Sequence, residues 1–349
     1  MRVTLWRDDV TVARPVRAAG QVHDVRSRLF VAVTHHGVSG YGEVAPQPFE
    51  LNGDPSVEQV IDELRTRTVP QMLAACERDG TPPTWTRLAR FAGPRSSSSS
   101  AIALLEMAVL DWEYRFNGDE ISSLWPHHYD TPTQATVSLL DDEPWVYDSK
   151  VSRLRVKTKS GTLAPDALTK LSSVNIPIIV DFNCSARNEE DVLAQIGALR
   201  EVVKVDAVEQ PFEVGNLVDH AALAEALDVA VSLDEGVRSL RDLEQIARYQ
   251  AASMVCVKIA RVGGVANART MILRANELKL VPYLGGFFES PYGRYVHRIL
   301  AEHCVDAPSD LSPVVEAGPL MRALSPAKGG MGMSPDEVIL TRSKEIGSW

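Results

Sequence analysis

At 349 residues, with 45% hydrophobic side chains and a mean hydropathy of -0.08, the chain is long enough for a barrel-sized core plus a smaller module. A net charge of -10 argues against a nucleic-acid footprint, and there is neither a membrane-length apolar run nor a signal-peptide pattern at Met1. Cys76, Cys184, Cys256 and Cys304 have neither metal-type nor disulfide-scaffold spacing, so a reducing cytoplasm is the expected setting.

Residues 3–5 and 29–33 read as strands, the second followed by a turn at 36–40 and a hairpin return at 41–44. The segment 13–24 reads as a loop joining the first strands, with Gly20 as a flexible point and Arg17 or His23 available to an anionic substrate. Helical patterns follow at 57–68 and 84–91, so a strand-rich start gives way to helices, as in an α+β module. The serines of 96–100 precede a strongly apolar helix at 101–112, which makes Ser100 the expected N-cap. Residues 134–140 read as a first barrel strand, and only the short piece 141–153 separates it from the next.

Five apolar runs then recur, each ending in a lysine or a carboxylate. They lead to Lys159, preceded by Arg155 and Lys157, then to Asp181, Glu209, Asp234 and Lys258. The intervals between these five positions are 22, 28, 25 and 24 residues, about one βα unit each. Helical patterns at 188–202, 217–227 and 240–250 fill the gaps, and such alternation implies parallel strands with crossover helices. A closed parallel barrel delivers all its strand ends to one rim. Two lysines, two aspartates and a glutamate would share one small volume there, and three carboxylates that close repel one another unless a cation intervenes. An all-oxygen set favours Mg2+, with Mn2+ as a substitute. A lone Lys-x-Lys is ordinarily a solvated strand edge, and a lone carboxylate after a strand is ordinarily a helix cap. Five such positions in order at βα spacing point to a site.

The succession Lys-x-Lys, Asp-x-Asn, Glu-Gln-Pro, Asp-Glu-Gly and Lys-Ile-Ala-Arg-Val-Gly-Gly resembles the enolase superfamily, in its muconate lactonizing enzyme subgroup. It is most similar there to o-succinylbenzoate synthases and N-succinylamino acid racemases. The resemblance implies an α/β fold: a modified (β/α)7β-type TIM barrel over residues 131–317. An N-terminal α+β capping domain over 1–130 would be completed by a tail from about 318. It also implies that Asp181, Glu209 and Asp234 hold the metal, and that Lys159 and Lys258 flank the substrate. Residues 280–286 would be the seventh strand and 304–311 the eighth. The segment 285–294, with Glu289 and Ser290, is similar to the family's Gly-Gly, Glu-Ser, Gly-Arg stretch.

The chemistry so implied is removal of a proton α to a carboxylate of a small-molecule substrate. Lys159 is expected to be the base, its pKa lowered by the neighbouring Lys157 and the metal, with Lys258 opposite. If Lys159 alone moves protons, the outcome is a syn dehydration giving o-succinylbenzoate, as in menaquinone-type pathways. If both lysines do, the outcome is racemisation of an N-succinylamino acid, which Arg261 beside Lys258 favours. Dehydration is placed first. A cycloisomerase of the same superfamily is a further alternative. A barrel that only binds is another, though such a protein would lack a ligand or a lysine, and none is missing. Asn183, Arg155 and Glu235 are expected to support the site. No nucleic-acid or membrane partner is expected, and a homo-oligomer is compatible with the sequence.

Overall fold

A computed structural model of the chain describes all residues except 19–20, 89–95, 126–127, 141–144, 146, 162, 164, 312–323 and 336, with backbone alone at 12–18, 21–23, 96, 165, 324–325 and 337–338. The N-terminal sheet has the order β13-β1-β2-β3 and is antiparallel. Its strands are β1 (Arg2–Ala18), β2 (Gln21–His35), β3 (Val38–Val44) and β13 (Lys344–Ser348). The two ends of the chain therefore share one sheet. Residues 13–18 and 21–24 are strand, not the loop expected from their polar, Pro-containing sequence, and Gly20, expected as a flexible point, lies outside the described residues. After a register shift between Thr11 and Val16 the two strands pair again, with Val16 opposite His23 and Ala18 opposite Gln21. Pro15, which has no N–H to give a ladder, falls inside the shifted stretch.

Ser56 and Gln59 form a capping box that starts α1 (Val57–Glu63). The helix does not stop at residue 68, because a π-helical stretch, Leu64–Thr68, carries it into α2 (Val69–Asp79), which Gly80 ends at φ 71°. After a single turn, α3 (Trp85–Leu88), comes α4 (Ser96–Asn117). That helix begins four residues ahead of the expected cap. Its serines serve tertiary partners: Ser98 accepts from Arg67 at 2.6 Å and donates to Glu63 at 3.1 Å, and Ser100 donates to the Ala260 carbonyl. Such partners outweigh the preference of serine for helix ends.

Seven parallel strands follow, each neighbouring the next in sequence. They are β4 (Thr133–Ser138), β5 (Val151–Lys157), β6 (Ile178–Asp181), β7 (Val205–Glu209), β8 (Ala230–Leu233), β9 (Met254–Val257) and β10 (Val281–Leu284). Between them run α5 (Pro165–Ser172), α6 (Glu189–Arg200), α7 (Leu217–Ala226), α8 (Leu240–Tyr249), the short α9 (Ile259–Val262) and α10 (Val265–Glu277). Side chains of Asn188, Asn216 and Ser239 cap α6, α7 and α8 near the starts their periodicity predicts. The sheet curls into a half-barrel, buried on both faces. The piece 141–153 falls partly outside the described residues.

The eighth strand expected at 304–311 is not a strand. Helix α11 (Pro291–Cys304) runs to its first residue, and among the described residues Ser309 and Asp310 make the backbone bonds to the two sheet edges. Gln134 donates to the Ser309 carbonyl at 2.8 Å and Asp310 donates to the Leu284 carbonyl at 2.8 Å, so two residues join β4 to β10. The chain returns through a small hairpin, β11 (Leu324–Pro326) with β12 (Met333–Pro335), and through α12 (Glu337–Arg342), to β13.

Candidate active site

Parallel register brings the C-terminal ends of the strands level. Lys157 lies opposite Ser138 on one side and Asp181 on the other, and Asp181 lies opposite Glu209. Asp234 follows β8 by one residue and Lys258 follows β9 by one. Past these ends the backbone turns sharply: Asn183, Cys184 and Gln210 take positive φ values of 45°, 63° and 38°, an uncommon state for residues with side chains.

Asp181, Glu209 and Asp234 are fully buried and aim at one point. That point is Nη2 of Arg155, which lies 2.8 Å from Asp181 Oδ2, 3.1 Å from Asp234 Oδ2 and in direct contact with Glu209. Arg155 precedes Lys157 by two residues, so it lies on the same strand face, one step deeper. Tyr283 donates to Glu209 at 2.8 Å, Lys258 Nζ lies 2.7 Å from Asp234 Oδ2, and Arg261 reaches Asp234 Oδ1 at 2.6 Å. The other side of Arg261 meets Asp54, which also meets Arg238. Five carboxylates (Asp54, Asp181, Glu209, Asp234, Glu235) thus face five cations (Arg155, Lys157, Arg238, Lys258, Arg261). The acidic and basic side chains are matched in number.

Lys157, expected to be a tuning charge, is the lysine that stands against Asp181, and Lys159, expected to be the base, is exposed. Lys157 Nζ donates to Asn183 Oδ1 at 2.9 Å and lies 3.8 Å from Asp181 Oδ2. Lys159 stands two residues beyond the end of β5 and is exposed. The ladder ends at Lys157, so the outer lysine projects into water at the turn. Burial, opposed by Asp181 and reinforced by Arg155 and Lys258, lowers the pKa of Lys157. Lys258 goes the other way: burial would lower it, but Asp234 outweighs burial and holds it as an ammonium. Burial, with Asp181 and Asp234 nearby, lifts Glu209 to about 7 against the pull of Arg155. Asp234 is held well below the carboxylate range, because Lys258, Arg261 and Arg155 together overcome its burial.

Asn183 Nδ2 donates to Glu235 at 3.3 Å, and Asn52 from the N-terminal part of the chain reaches the same carboxylate oxygen at 3.3 Å. Glu289 and Ser290 are committed elsewhere. Glu289 accepts from the Phe287 N–H and pairs with Arg294 at 3.3 Å, while Ser290 caps α11 and bonds Glu43. His23 sits on β2, its side chain outside the described residues. Asp54, Arg238, Asn52 and Tyr283 were not anticipated. The turn signal Asn52-Gly53-Asp54-Pro55 marks two of them, but nothing local says what the turn will touch.

The ligand chemistry suits a hard divalent cation. The donors are all oxygen, and buried Asp181 Oδ2 meets Arg155 and Lys157 as ion pairs without accepting a well-formed hydrogen bond. As they stand among the described residues, however, no three His, Cys, Asp or Glu side chains are arranged to hold a metal ion. The guanidinium of Arg155 occupies their common point, and an ion binding there would share that point or displace it.

Residues 160–303 match the family described as Enolase C-terminal domain-like. The chain is similar to an o-succinylbenzoate synthase of Enterococcus faecalis, 27% identical over 222 residues, which cover 60% of this chain and 59% of that protein. The match therefore spans less than two thirds of that relative's length. It is also similar to an N-succinylamino acid racemase of an Amycolatopsis species, 25% identical over 316 residues, covering 86% of this chain and 82% of that protein. A crystal structure of an enolase-superfamily member of unknown function from Enterococcus faecalis superposes with a TM-score of 0.81, over 99% of this chain and 98% of that one, at 18% identity. The two share a fold.

Proposed function

Starting from a chain that carries an enolase C-terminal domain-like unit, we propose that it is an enzyme removing a proton α to a carboxylate, with Lys157, not Lys159, as the base. The observation that carries this reading is convergence: Asp181, Glu209 and Asp234 surround one point, and Lys157 and Lys258 approach it from β5 and β9, 3.8 Å from Asp181 and 2.7 Å from Asp234. Asp181, Glu209 and Asp234 would hold Mg2+, which when bound offsets the negative charge that develops on the substrate carboxylate as the proton leaves. Asn183 positions the Lys157 amine. Burial and neighbouring cations favour its neutral form, which is the form a base requires. Lys258, tied to Asp234, stays charged and faces the developing anion.

One amine able to take a proton, facing one kept charged, suits a syn elimination. Dehydration giving o-succinylbenzoate is therefore the activity placed first, and it is the activity named for the Enterococcus relative. N-succinylamino acid racemisation is the second reading. Arg261 favours it, because its fork onto Asp234 and Asp54 lies against the partner of Lys258 and offers a way to tune that amine.

The test is incubation with Mg2+ in D2O. One arm carries the cyclohexadiene precursor of o-succinylbenzoate and the other carries N-succinylamino acids of both hands. Loss of diene absorbance supports dehydration, deuterium at Cα with inversion supports racemisation, and neither points to cycloisomerase chemistry. Lys157→Ala is expected to slow whichever reaction is found by about 1,000-fold, within the range for losing a general base. Lys159→Ala should change it by no more than about threefold. Full activity in Lys157→Ala would overturn the assignment.

A further inference from the structure

The turn between β3 and α1 reaches the carboxylate cluster from the N-terminal part of the chain. Leu51 and Asp54 close it with two backbone bonds, at 3.1 and 2.8 Å, and Asn52 and Gly53 between them take positive φ values of 49° and 81°. Asn-Gly is the pair that such a turn favours. Glycine is needed at the second position for another reason too, since a Cβ there would stand 3.0 Å from Arg238 Nη2. Arg238, in the loop between β8 and α8, donates to the Asn52 and Gly53 carbonyls at 2.8 and 3.0 Å and to Asp54 at 3.2 Å. Asn52 donates to Glu235 at 3.3 Å and to the Asn183 carbonyl at 3.5 Å. The turn is therefore seated on the loops that follow β6 and β8, and its one carboxylate, Asp54, is held in place.

Asp54 is buried and meets the fork of Arg261: Nε donates to Oδ1 at 2.8 Å and Nη2 donates to Oδ2 at 2.6 Å. The remaining nitrogen, Nη1, donates to Oδ1 and to the carbonyl of Asp234 at 2.6 and 2.8 Å. A single guanidinium thus spans a carboxylate of the turn and a carboxylate of the cluster. Through Oδ2, Asp234 also meets Lys258 at 2.7 Å and Arg155 at 3.1 Å. Three cations therefore crowd one of the carboxylates that would hold the metal, and each opposes an incoming cation by Coulomb repulsion. Asp54 offsets one of them. Burial would raise its pKa, but Arg261, Arg238 and Lys258 outweigh burial and hold it below its ordinary value, so it faces the fork as an anion.

We propose that Asp54 is a positioning residue for the metal cluster: by binding two of the Arg261 nitrogens it keeps the fork from closing on Asp234, so that the turn between β3 and α1 sets the affinity of the barrel for Mg2+. This rests on the reading of Asp181, Glu209 and Asp234 as the metal ligands. Without Asp54 the planar fork is free to take both oxygens of Asp234, the geometry arginine favours with a carboxylate. An ion would then have to displace a bidentate partner. Groups one layer behind metal ligands commonly control affinity through the orientation and charge of the ligand in front of them.

The experiment is a calorimetric Mg2+ titration of the full-length protein after treatment with chelator, without substrate. Asp54→Asn should weaken Mg2+ binding by about tenfold, the lower end of what such partners contribute. In an Arg261→Met background the same substitution should change the affinity by less than about twofold, because no guanidinium remains to be held and the two sites no longer couple. An equal loss in both backgrounds would mean that Asp54 acts by its charge alone or through the fold, and overturns the proposal; so does a wild-type affinity in Asp54→Asn. Arg238→Met is the second variant, for the case that Asp54→Asn does not fold. It leaves Asp54 to Arg261 alone and should bind Mg2+ at least as tightly as wild type, whereas weaker binding overturns the proposal. No turnover is required, so the two readings fail separately. A wild type that takes up no Mg2+ sinks the metal-ligand reading and Asp54 with it, and a wild type that binds Mg2+ just as Asp54→Asn does sinks Asp54 alone.

Discussion

Side chains two apart on a pleated strand share a face, but β5 ends at Lys157, so the rule that places Arg155 and Lys157 together does not extend to Lys159, which is exposed beyond the strand end. The chain rhythm contains a trace of this: from Lys157 the interval to Asp181 is 24 residues, closer to the following 28, 25 and 24 than is the 22 from Lys159. Arg155 has a consequence of its own. Its guanidinium is the contact shared by Asp181, Glu209 and Asp234, and removing one partner of a buried ionic cluster leaves charge unpaired. Arg155→Met should destabilise the metal-free protein by about 3 kcal/mol, read as a lower Tm in thermal melts with chelator, and added Mg2+ should recover part of the loss. An unchanged Tm would mean that the three carboxylates do not depend on Arg155.

At the scale of elements, β3 and α4 approach so closely that two glycines are required between them. A Cβ at Gly40 would stand 2.1 Å from the Trp112 backbone nitrogen, and one at Gly42 would stand 2.2 Å from the Leu104 carbonyl oxygen. Backbone cannot move aside as a flexible side chain can. Gly40→Ala is expected to cost about 3 kcal/mol, as overpacking against fixed atoms does, measured as a fall in the denaturation midpoint. Gly80→Ala is the control: nothing lies within 4 Å, and only the positive φ of 71° opposes it, for about 1 kcal/mol. Equal losses at the two sites would refute the close-packing account. Helices α6, α7 and α8 were legible because each has its own capping residue and apolar stripe. The true start of α4 was not, because Arg67, Glu63 and the Ala260 carbonyl, which engage its serines, are distant in sequence.

Across the whole molecule, three buried carboxylates join parts that are far apart along the chain. Glu43 on β3 accepts from the Ser290 and Gly293 N–H groups at the start of α11. Glu106 on α4 accepts from the Val265 and Ala266 N–H groups at the start of α10, and Asp111 accepts from Tyr41 and Met331. Burial raises Glu43 and Glu106 to about 7 and Asp111 to about 6, against the opposing hydrogen bonds and nearby arginines. A carboxyl whose folded pKa exceeds its unfolded one binds more protons in the native state, so stability falls as pH rises. The stabilising effect of these groups is full below about pH 4.5 and lost as pH passes about 7. Tm should therefore decline between pH 5.5 and 8, and Glu106→Gln should make that decline shallower. A slope unaltered by the substitution would remove Glu106 from the account.

The sequence alone determined the alternation of strand and helix, the spacing that brings Asp181, Glu209, Asp234 and Lys258 to one rim, and the oxygen-only character of the site, because each follows from local periodicity and residue type. Only the tertiary structure decided which lysine faces Asp181, what meets three buried carboxylates, and how two residues join the sheet edges. Those depend on where a strand ends and on which distant side chain arrives there, and short-range pattern contains neither.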